Sequence, residues 1–401
     1  MTKEWEIKKI GDVCDVMNGG TPDTKVKQYW NGSNLWITPK DMGRLTSIYV
    51  NDTERKITDA GLKNSSAKML PPNSVILSSR APIGHLAINT KLIATNQGCK
   101  GLVPKKNLNT LFLYYFLSNS IELLNSLGSG TTFKELSGSK LAEVKIPFPP
   151  LPEQKRIVEI LDEAFDAIDK AKANVEKNLQ NAKELFESYL QNVFANKGED
   201  WEEKRLCDVC ELKSGTTISP SYERTSGDVL YAKVGDMNLP ENKIEINTSS
   251  RFVNSKEIKL NQIIPQGATI FPKRGGAIAT NKKRKIIKPT IVDLNIMAII
   301  PGKEVDKEFL YHWFQLVDLN ELSNGTSIPQ INNYSFDEVY IPYPKSITEQ
   351  KTIVKRMEEI SFETKKLETI YQQKLNDLEE LNKSILQKAF NGELTAKEII
   401  A

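Results

Sequence analysis

Residues 146–158 read Ile-Pro-Phe-Pro-Pro-Leu-Pro-Glu-Gln-Lys-Arg-Ile-Val, and residues 341–354 read Ile-Pro-Tyr-Pro-Lys-Ser-Ile-Thr-Glu-Gln-Lys-Thr-Ile-Val. Prolines stiffen the entry to each stretch, and Pro152 suits the first position of a helix. Ser346 and Glu349 have the spacing of a capping box, in which each side chain bonds the backbone near the other. Each stretch therefore predicts the end of a globular part and the start of a long helix.

Two long helices are predicted behind these stretches, because apolar residues recur there at alternating steps of three and four. Lys172 interrupts the first apolar seam, and Thr364 and Lys374 interrupt the second. A seam of period 3.5 requires a partner helix along its length. The residues expected at helix or partner interfaces are Val158, Leu161, Phe165, Ile168, Leu179 and Phe186 in the first helix and Ile353, Met357, Leu378, Leu381 and Ile385 in the second.

The globular parts on either side of the first helix are two copies of one unit. Residues 5–19 and 201–215 share a tryptophan, an Asp-Val-Cys triplet and a glycine, at an offset of 196 residues. Short strand-like runs alternate with Gly- and Asn-rich loops and one compact helix, which indicates an α+β fold with two pseudo-symmetric mixed units. The expected segments are a first globular unit over 1–152, a long helix over 153–197, a second globular unit over 198–345 and a second long helix over 346–401.

Composition excludes several protein classes. The 401 residues are 39% hydrophobic, without an apolar run of eighteen residues or a charged-then-apolar leader, so neither a membrane protein nor a secreted protein is expected. Four cysteines fit a reducing cytoplasm. The net charge of +3 is uneven, since residues 1–152 hold 19 basic against 12 acidic residues. A polyanionic partner should therefore meet the first unit more favourably.

A search for catalytic chemistry finds little. The two histidines, His85 and His312, lie in apolar segments typical of packing or surface positions. Cys207 and Cys210 spell CxxC, but no second ligand pair follows, so neither a zinc nor a redox site is expected. No phosphate-binding glycine loop is present. Asp23, Glu54 and Lys56 loosely match the carboxylate-plus-lysine pattern of metal-dependent nucleases, and the second copy lacks this pattern.

The loops in which the copies diverge favour nucleic-acid binding, because they are polar, basic and aromatic. Lys and Arg bind phosphates, whereas Arg, Asn, Gln, Ser and Thr can read base edges. Any one loop is equally typical of ordinary solvated surface, and the combination in two copies favours DNA or RNA. The candidate residues are Lys25, Lys27, Tyr29, Lys40, Arg44, Arg80 and Lys134 in the first unit and Lys273, Arg274, Lys282, Lys283, Arg284 and Gln330 in the second.

The order of these parts, with the proline-rich entries and the paired unit starts, resembles the specificity subunit of type I restriction–modification enzymes over essentially the whole length. The resemblance implies two target-recognition domains, each reading one half of a bipartite double-stranded DNA target. It implies that the long helices pack antiparallel as a coiled coil, set the half-site spacing and dock two modification subunits. It also implies no catalytic role for this chain, with S-adenosylmethionine, ATP and magnesium bound by partner subunits, and it allows restriction subunits as further partners.

Two alternatives from other classes stay open at this point. One is a metal-dependent nuclease that uses Asp23, Glu54 and Lys56. The other is a coiled-coil adaptor that binds proteins and does not read DNA. Duplication disfavours the nuclease, since an active site in one copy leaves the second copy unexplained.

Overall fold

The computed structural model describes residues 5–130, 134–325 and 328–395. The chain forms two compact units, one comprising residues up to Glu176 together with those from Gln373 onward, and the other Lys177–Gln372. The division therefore cuts across both long helices. The mixed helix and sheet content confirms the α+β prediction. Within the described ranges, we find no helix with the length and apolarity needed to cross a bilayer.

The first unit is built on a five-stranded sheet, a four-stranded sheet and a two-stranded ribbon. Their strand orders are β2-β10-β7-β8-β4, β5-β3-β9-β6 and β1-β11. The elements are β1 Glu6–Lys9, α1 Ile10–Val13, β2 Cys14–Asn18, β3 Trp30–Ile37, α2 Pro39–Met42, β4 Tyr49–Val50, β5 Arg55–Ile57, α3 Asp59–Lys63, β6 Met69–Leu70, β7 Val75–Ser79, β8 Ile83–Asn89, β9 Ile93–Thr95, β10 Cys99–Pro104, α4 Thr110–Asn119, α5 Ile121–Leu127, α6 Gly138–Ala142, β11 Lys145–Phe148 and the long helix α7 Leu151–Ala195.

The second unit repeats this architecture, with a three-stranded sheet in place of the four-stranded one. Its sheets have the orders β13-β20-β17-β18-β15, β16-β14-β19 and β12-β21. The elements are β12 Trp201–Arg205, α8 Leu206–Val209, β13 Cys210–Ser214, β14 Val229–Ala232, β15 Glu245–Ile246, β16 Phe252–Val253, β17 Thr269–Pro272, β18 Arg284–Ile286, β19 Thr290–Val292, β20 Ile296–Pro301, α9 Lys307–Gln315, β21 Tyr340–Pro344 and the long helix α10 Ile347–Phe390.

A buried glutamine, Gln154 in α7 and Gln350 in α10, ties each long helix to its sheet-bearing unit. Gln154 is fully buried in α7; its Oε1 accepts from the Asn109 N–H at 2.8 Å and its Nε2 donates to the Asn107 and Pro149 carbonyls at 3.0 and 2.8 Å. Asn109 caps the start of α4. The Glu-Gln-Lys repeat in the sequence therefore marks a joint that fixes the entry of the long helix against the compact helix.

The long helices run antiparallel within each unit. In the first unit, Val158 and Leu161 near the start of α7 share one core with Phe390 at the end of α10. In the second unit, Phe194 near the end of α7 shares a core with Met357 near the start of α10. Opposite helix ends therefore meet in each core, which confirms the predicted packing.

The expected seam of α7 is buried or half-buried at Val158, Leu161, Phe165, Ile168, Leu179 and Phe186. The expected seam of α10 needs correction. Leu381 is 46% exposed, whereas Thr364, predicted to interrupt the seam, is 3% exposed. Its hydroxyl donates to the Ser361 carbonyl at 3.0 Å, so the side chain enters the core without an unpaired donor. The less exposed residues of α10 instead follow Val354, Met357, Ser361, Thr364, Glu368, Tyr371, Leu375, Leu378, Asn382, Ile385 and Ala389.

Candidate nucleic-acid interface

In the first unit, three of the candidate residues line one open cavity of about 530 Å³, which we call the Arg80 cleft; its lining includes Lys40, Arg44, Arg80 and His85. Lys40 lies in the short helix α2, which the Thr38 side chain caps. The Asp41 carboxylate accepts from the Thr38 N–H and hydroxyl, each at 2.9 Å. This capping box fixes the short helix that carries Lys40. Lys40 and Arg80, 40 positions apart in sequence, therefore line one cavity.

Arg80 follows strand β7 and is half-buried. Its Nη1 lies 3.5 Å from Glu135 Oε2, and the largely buried Lys100 lies 3.9 Å from Glu135 Oε1. A side chain added at Gly98 would approach Arg80 Nε to 3.2 Å, so the glycine leaves room for the guanidinium to lie there. Glu135 and Lys100 were not among the predicted site residues. Glu135 holds the place of Gln330 in the second copy, and that correspondence could have revealed it.

The other first-unit candidates lie outside this cavity. Lys25 and Lys27 are exposed, and Tyr29 is half-buried in a short 3-10 turn whose backbone accepts from the Thr58 N–H at 3.0 Å. Lys134 is exposed and follows Thr131, Thr132 and Phe133, which lie outside the described residues. The structure therefore gathers Lys40, Arg44 and Arg80 and does not bring the remaining candidates into the same cavity.

In the second unit, strand β17 leads directly into Lys273 and Arg274. Arg274 is exposed and forms a β-bridge with Gln330; its Nη2 lies 3.3 Å from Gln330 Oε1. Lys273 Nζ donates to Ser214 Oγ at 2.9 Å, and burial lowers its pKa, with a smaller contribution from Arg274. Arg274 thus has the same position after its strand as Arg80, held by an amide instead of a carboxylate.

The basic run at 282–284 divides between surface and core. Lys282 bonds the Asn238 side chain, and Arg284 donates to the Met237 carbonyl at 3.1 Å, which ties the run to the turn at 234–238. Lys283 is only 2% exposed, and its Nζ donates to Asn281 Oδ1 at 2.8 Å and to the Val317 carbonyl at 2.6 Å. Burial lowers its pKa to about 8. The expectation that Lys283 lies on a DNA-facing surface is therefore corrected to an internal brace.

The residues of the nuclease alternative are engaged separately. Asp23 accepts from the Lys25 N–H at 2.9 Å, Glu54 pairs with Arg44 at 3.3 Å, and Lys56 pairs with Asp52 at 2.9 Å. Over the part of the chain that the structure describes, no cluster of three or more His, Cys, Asp or Glu residues is arranged to hold a metal ion. This arrangement gives the nuclease alternative no support.

A second cavity, of about 670 Å³, distinguishes the second unit from the first; its lining includes Tyr311, His312, Glu358, Ser361 and Phe362. At the corresponding places in the first unit, Tyr115 bonds Asp162 and packs on Phe165 with ring centroids 5.4 Å apart. His312 and Ser361 replace two bulky aromatic residues, so the second unit keeps an opening between α9 and α10. His312 itself is 9% exposed, so of the two predicted possibilities, packing or surface, it occupies a packing position.

His312 should make the second unit sensitive to acid. Burial, then Lys285 and Lys365, lower its pKa to about 4. The unfolded chain binds the proton first as the pH falls through about 6.5, so stability is present at neutral pH and is lost between about 6.5 and 4. We expect His312→Phe to remove about 3 kcal/mol of acid destabilisation between pH 7 and pH 4. Urea unfolding of both proteins across this range measures the difference.

At pH 8 His312 is neutral in the folded and the unfolded chain. The free energies of unfolding of the wild type and His312→Phe should therefore differ there only by a packing contribution that does not depend on pH. Parallel stability curves from pH 8 to pH 4 would contradict the prediction.

With this geometry in view, the comparisons identify the family. The model of the type I restriction modification DNA specificity domain matches twice, over residues 2–179 and 198–380, and the chain belongs to this family. It is 30% identical to the type I restriction enzyme MjaIX specificity subunit of Methanocaldococcus jannaschii, over 99% of this chain and 95% of that protein. It is 31% identical to the EcoR124I/EcoR124II specificity subunit of Escherichia coli, over 48% of each chain.

Two solved structures share the fold. The HsdS subunit from Thermoanaerobacter tengcongensis has a TM-score of 0.67 at 17% identity, covering 98% of both chains. A chain from work on complex assembly and conformational transition of the type I R-M system has a TM-score of 0.76 at 19% identity, covering 98% of this chain and 99% of that one. At these identities the likeness concerns the fold alone.

Proposed function

We propose that this chain is the DNA sequence-specificity subunit of a type I restriction–modification complex. Each unit reads one half of a bipartite double-stranded target. The observation that carries the proposal is the repeated five-stranded sheet. Its central strand, β7 in the first unit and β17 in the second, leads to Arg80 and Arg274 at equivalent positions. Membership of the DNA specificity family supports the same role. Neither the nuclease nor the adaptor alternative has a comparable observation in its favour.

The exposed basic residues supply the contacts to DNA. Phosphate contacts position a protein on the duplex and base contacts specify the sequence. We assign Lys25, Lys27, Lys40 and Arg44 in the first unit to this surface because all four are exposed. The remaining proposed contacts are Tyr29, Arg80 and Lys134 in the first unit and Lys273, Arg274, Lys282, Arg284 and Gln330 in the second.

The long helices dock the partner subunits in this proposal. In the second unit, Leu185 is 51% exposed and Phe362 is 67% exposed, and both line a groove of about 450 Å³ along α7 and α10. Large exposed apolar side chains grouped on one surface are typical of protein interaction sites. We assign this surface to a modification subunit, with two such subunits in the complex, and we place the cofactors on those partners.

Replacing residues 8–145 with the matching unit of a relative should change one half of the methylated target and leave the other half intact. The reason is that each unit carries its own sheets and its own cationic residues. Genome-wide methylation mapping of cells that express the hybrid measures the outcome. The matched control replaces residues 204–340 and should change the opposite half. A hybrid that alters both halves, or neither, would contradict the modular proposal.

The purified chain alone should neither methylate nor cleave DNA in the presence of S-adenosylmethionine, ATP and magnesium. For cleavage, the expectation rests on the separate engagement of Asp23, Glu54 and Lys56. For methylation, it rests on the proposal that partner subunits bind S-adenosylmethionine. Radiolabelled methyl transfer and gel assays of plasmid cleavage measure it. Activity that copurifies with the chain and disappears on Asp23→Asn or Glu54→Gln would establish the nuclease instead.

A further inference from the structure

The two arginines that follow β7 and β17 are anchored differently. Strand register sets the correspondence: Lys100 pairs with Leu77 in the first unit, and Met297 pairs with Phe271 in the second. Leu77 and Phe271 each lie three residues before the arginine. The first unit therefore surrounds one carboxylate, Glu135, with two cations, whereas the second unit has an amide and a methionine at the same places.

Both contacts of Glu135 are long for ion pairs, at 3.5 and 3.9 Å, and its side chain is 40% exposed. Partly exposed pairs of this kind hold their partners weakly, because water competes for both charges. The guanidinium of Arg80 also lines the Arg80 cleft together with Lys40 and Arg44. An anion entering the cleft would thus meet Lys40, Arg80 and Arg44, of which Arg44 also pairs with Glu54 at 3.3 Å. At Arg80 it would compete with Glu135, whose contact is long and partly exposed.

We propose that Glu135 is an internal counter-ion that occupies Arg80 in the free protein and is displaced by a DNA backbone phosphate bound in the Arg80 cleft. The inference rests on the proposed DNA-reading function and deepens it. Glu135 lowers the affinity of the first unit for any duplex, so binding there depends more on contacts to the correct bases. Among the residues that the structure describes, no carboxylate pairs with Arg274, which contacts the Gln330 amide instead. The second unit therefore holds a phosphate without this competition.

The test is the salt dependence of binding of the full chain to a mixed-sequence DNA duplex, followed by fluorescence anisotropy. Glu135→Gln should raise the affinity about five- to tenfold in 50 mM sodium chloride and steepen the logarithmic salt slope by about 0.9, the value for one added phosphate contact. Gln330→Glu installs the carboxylate in the second unit and should lower the affinity by a similar factor. Adding Arg80→Gln to Glu135→Gln should erase the gain.

Glu143→Gln is the matched control, because it removes the same charge from an exposed residue of the first unit that pairs with Lys9. An equal gain from this control, or a gain that survives Arg80→Gln, would overturn the proposal in favour of a diffuse charge effect. Unchanged affinity in both Glu135→Gln and Gln330→Glu would also overturn it. Replacing chloride by inorganic phosphate at equal ionic strength should leave most of the affinity gain of Glu135→Gln. Complete loss of that gain would identify free phosphate as the ligand and overturn the assignment to DNA. Failure of the wild-type chain to bind the duplex at any salt would instead reject the proposed function itself.

Discussion

Replacing Gln154 by leucine is expected to lower the free energy of unfolding of the first unit by about 4 kcal/mol. Gln154 is fully buried and satisfies three backbone groups, the Asn109 N–H and the Asn107 and Pro149 carbonyls. Leucine has nearly the same volume, so the cavity term is small, and the loss comes from burying those three groups unpaired, at roughly 1–3 kcal/mol each. Urea unfolding followed by circular dichroism measures the shift.

The second unit offers a matched variant of the same joint. Gln350 is also fully buried, accepts from the Asp306 N–H at 2.7 Å and donates to the Glu304 and Pro344 carbonyls at 2.9 and 2.8 Å. Gln350→Leu should therefore produce a loss of similar size in the second unit. Gln180→Leu, on the exposed surface of α7, should change stability by less than about 0.5 kcal/mol. Losses below about 1 kcal/mol at both joints would contradict the account.

Lengthening both long helices should change the spacing of the DNA target. Both α7 and α10 pass from one compact unit into the other, after Glu176 and Gln372 respectively. Four residues inserted at both points add about 6 Å of helix rise. A base pair advances the duplex by roughly 3.4 Å. The preferred gap between the half-sites should therefore grow by one or two base pairs, and the half-sites themselves should stay the same.

Methylation of DNAs that differ only in spacer length measures this optimum. Binding to the original spacing should fall by more than about tenfold, because a complex that cannot reach both half-sites loses the advantage of linked binding. Alanine substitutions at Lys177, Asn178 and Gln180, which keep the helix length and leave the seam residue Leu179 in place, should not change the optimum. An unchanged optimum in the lengthened and still active protein would show that the helices do not set the spacing.

Long-range regularity made part of this fold predictable. The spacer helices were expected over 153–197 and 346–401, and the structure gives Leu151–Ala195 and Ile347–Phe390. Gly392, just past the end of α10, has a left-handed φ of 78°, which is typical of a glycine that ends a helix. A helix of this length carries its apolar period through six heptads, so chance runs of residues average out. The duplication predicted the repeated unit for the same reason, because it too is a regularity that extends over a long stretch of sequence.

Strand order could not be predicted, because it depends on contacts between very short segments. Tyr49–Val50 is two residues long and pairs in parallel with Ile88–Asn89. Nothing local to two residues specifies such a partner, which is fixed by the surrounding core. The predicted seam of α10 was wrong at Thr364 and Leu381. The Thr364 hydroxyl is bonded within its own helix, so this side chain can enter the core, whereas Leu381 stays outside it.

The candidate site was predicted in residue type and not in arrangement. Arg80 and Arg274 were both candidates, and the structure places each of them just after the equivalent strand, β7 or β17. Lys283 was grouped with its basic neighbours, yet the turn at Asn281 directs its side chain to the Val317 carbonyl. A run of like charges does not reveal which member faces inward, since that depends on the carbonyl groups that another element offers.

The first unit is assembled from two segments that flank the second unit in the sequence, and this affects the order of events during synthesis. Phe390 packs against Phe112 and Phe116 at 5.2 and 5.6 Å, and Gly392 lies against Trp5. The second unit is one continuous segment, Lys177–Gln372. During translation, every residue of the second unit is therefore synthesised before the last core residues of the first unit. The part of the first unit that is synthesised first therefore keeps some of its core exposed to solvent until the last turns of α10 are synthesised and pack against it.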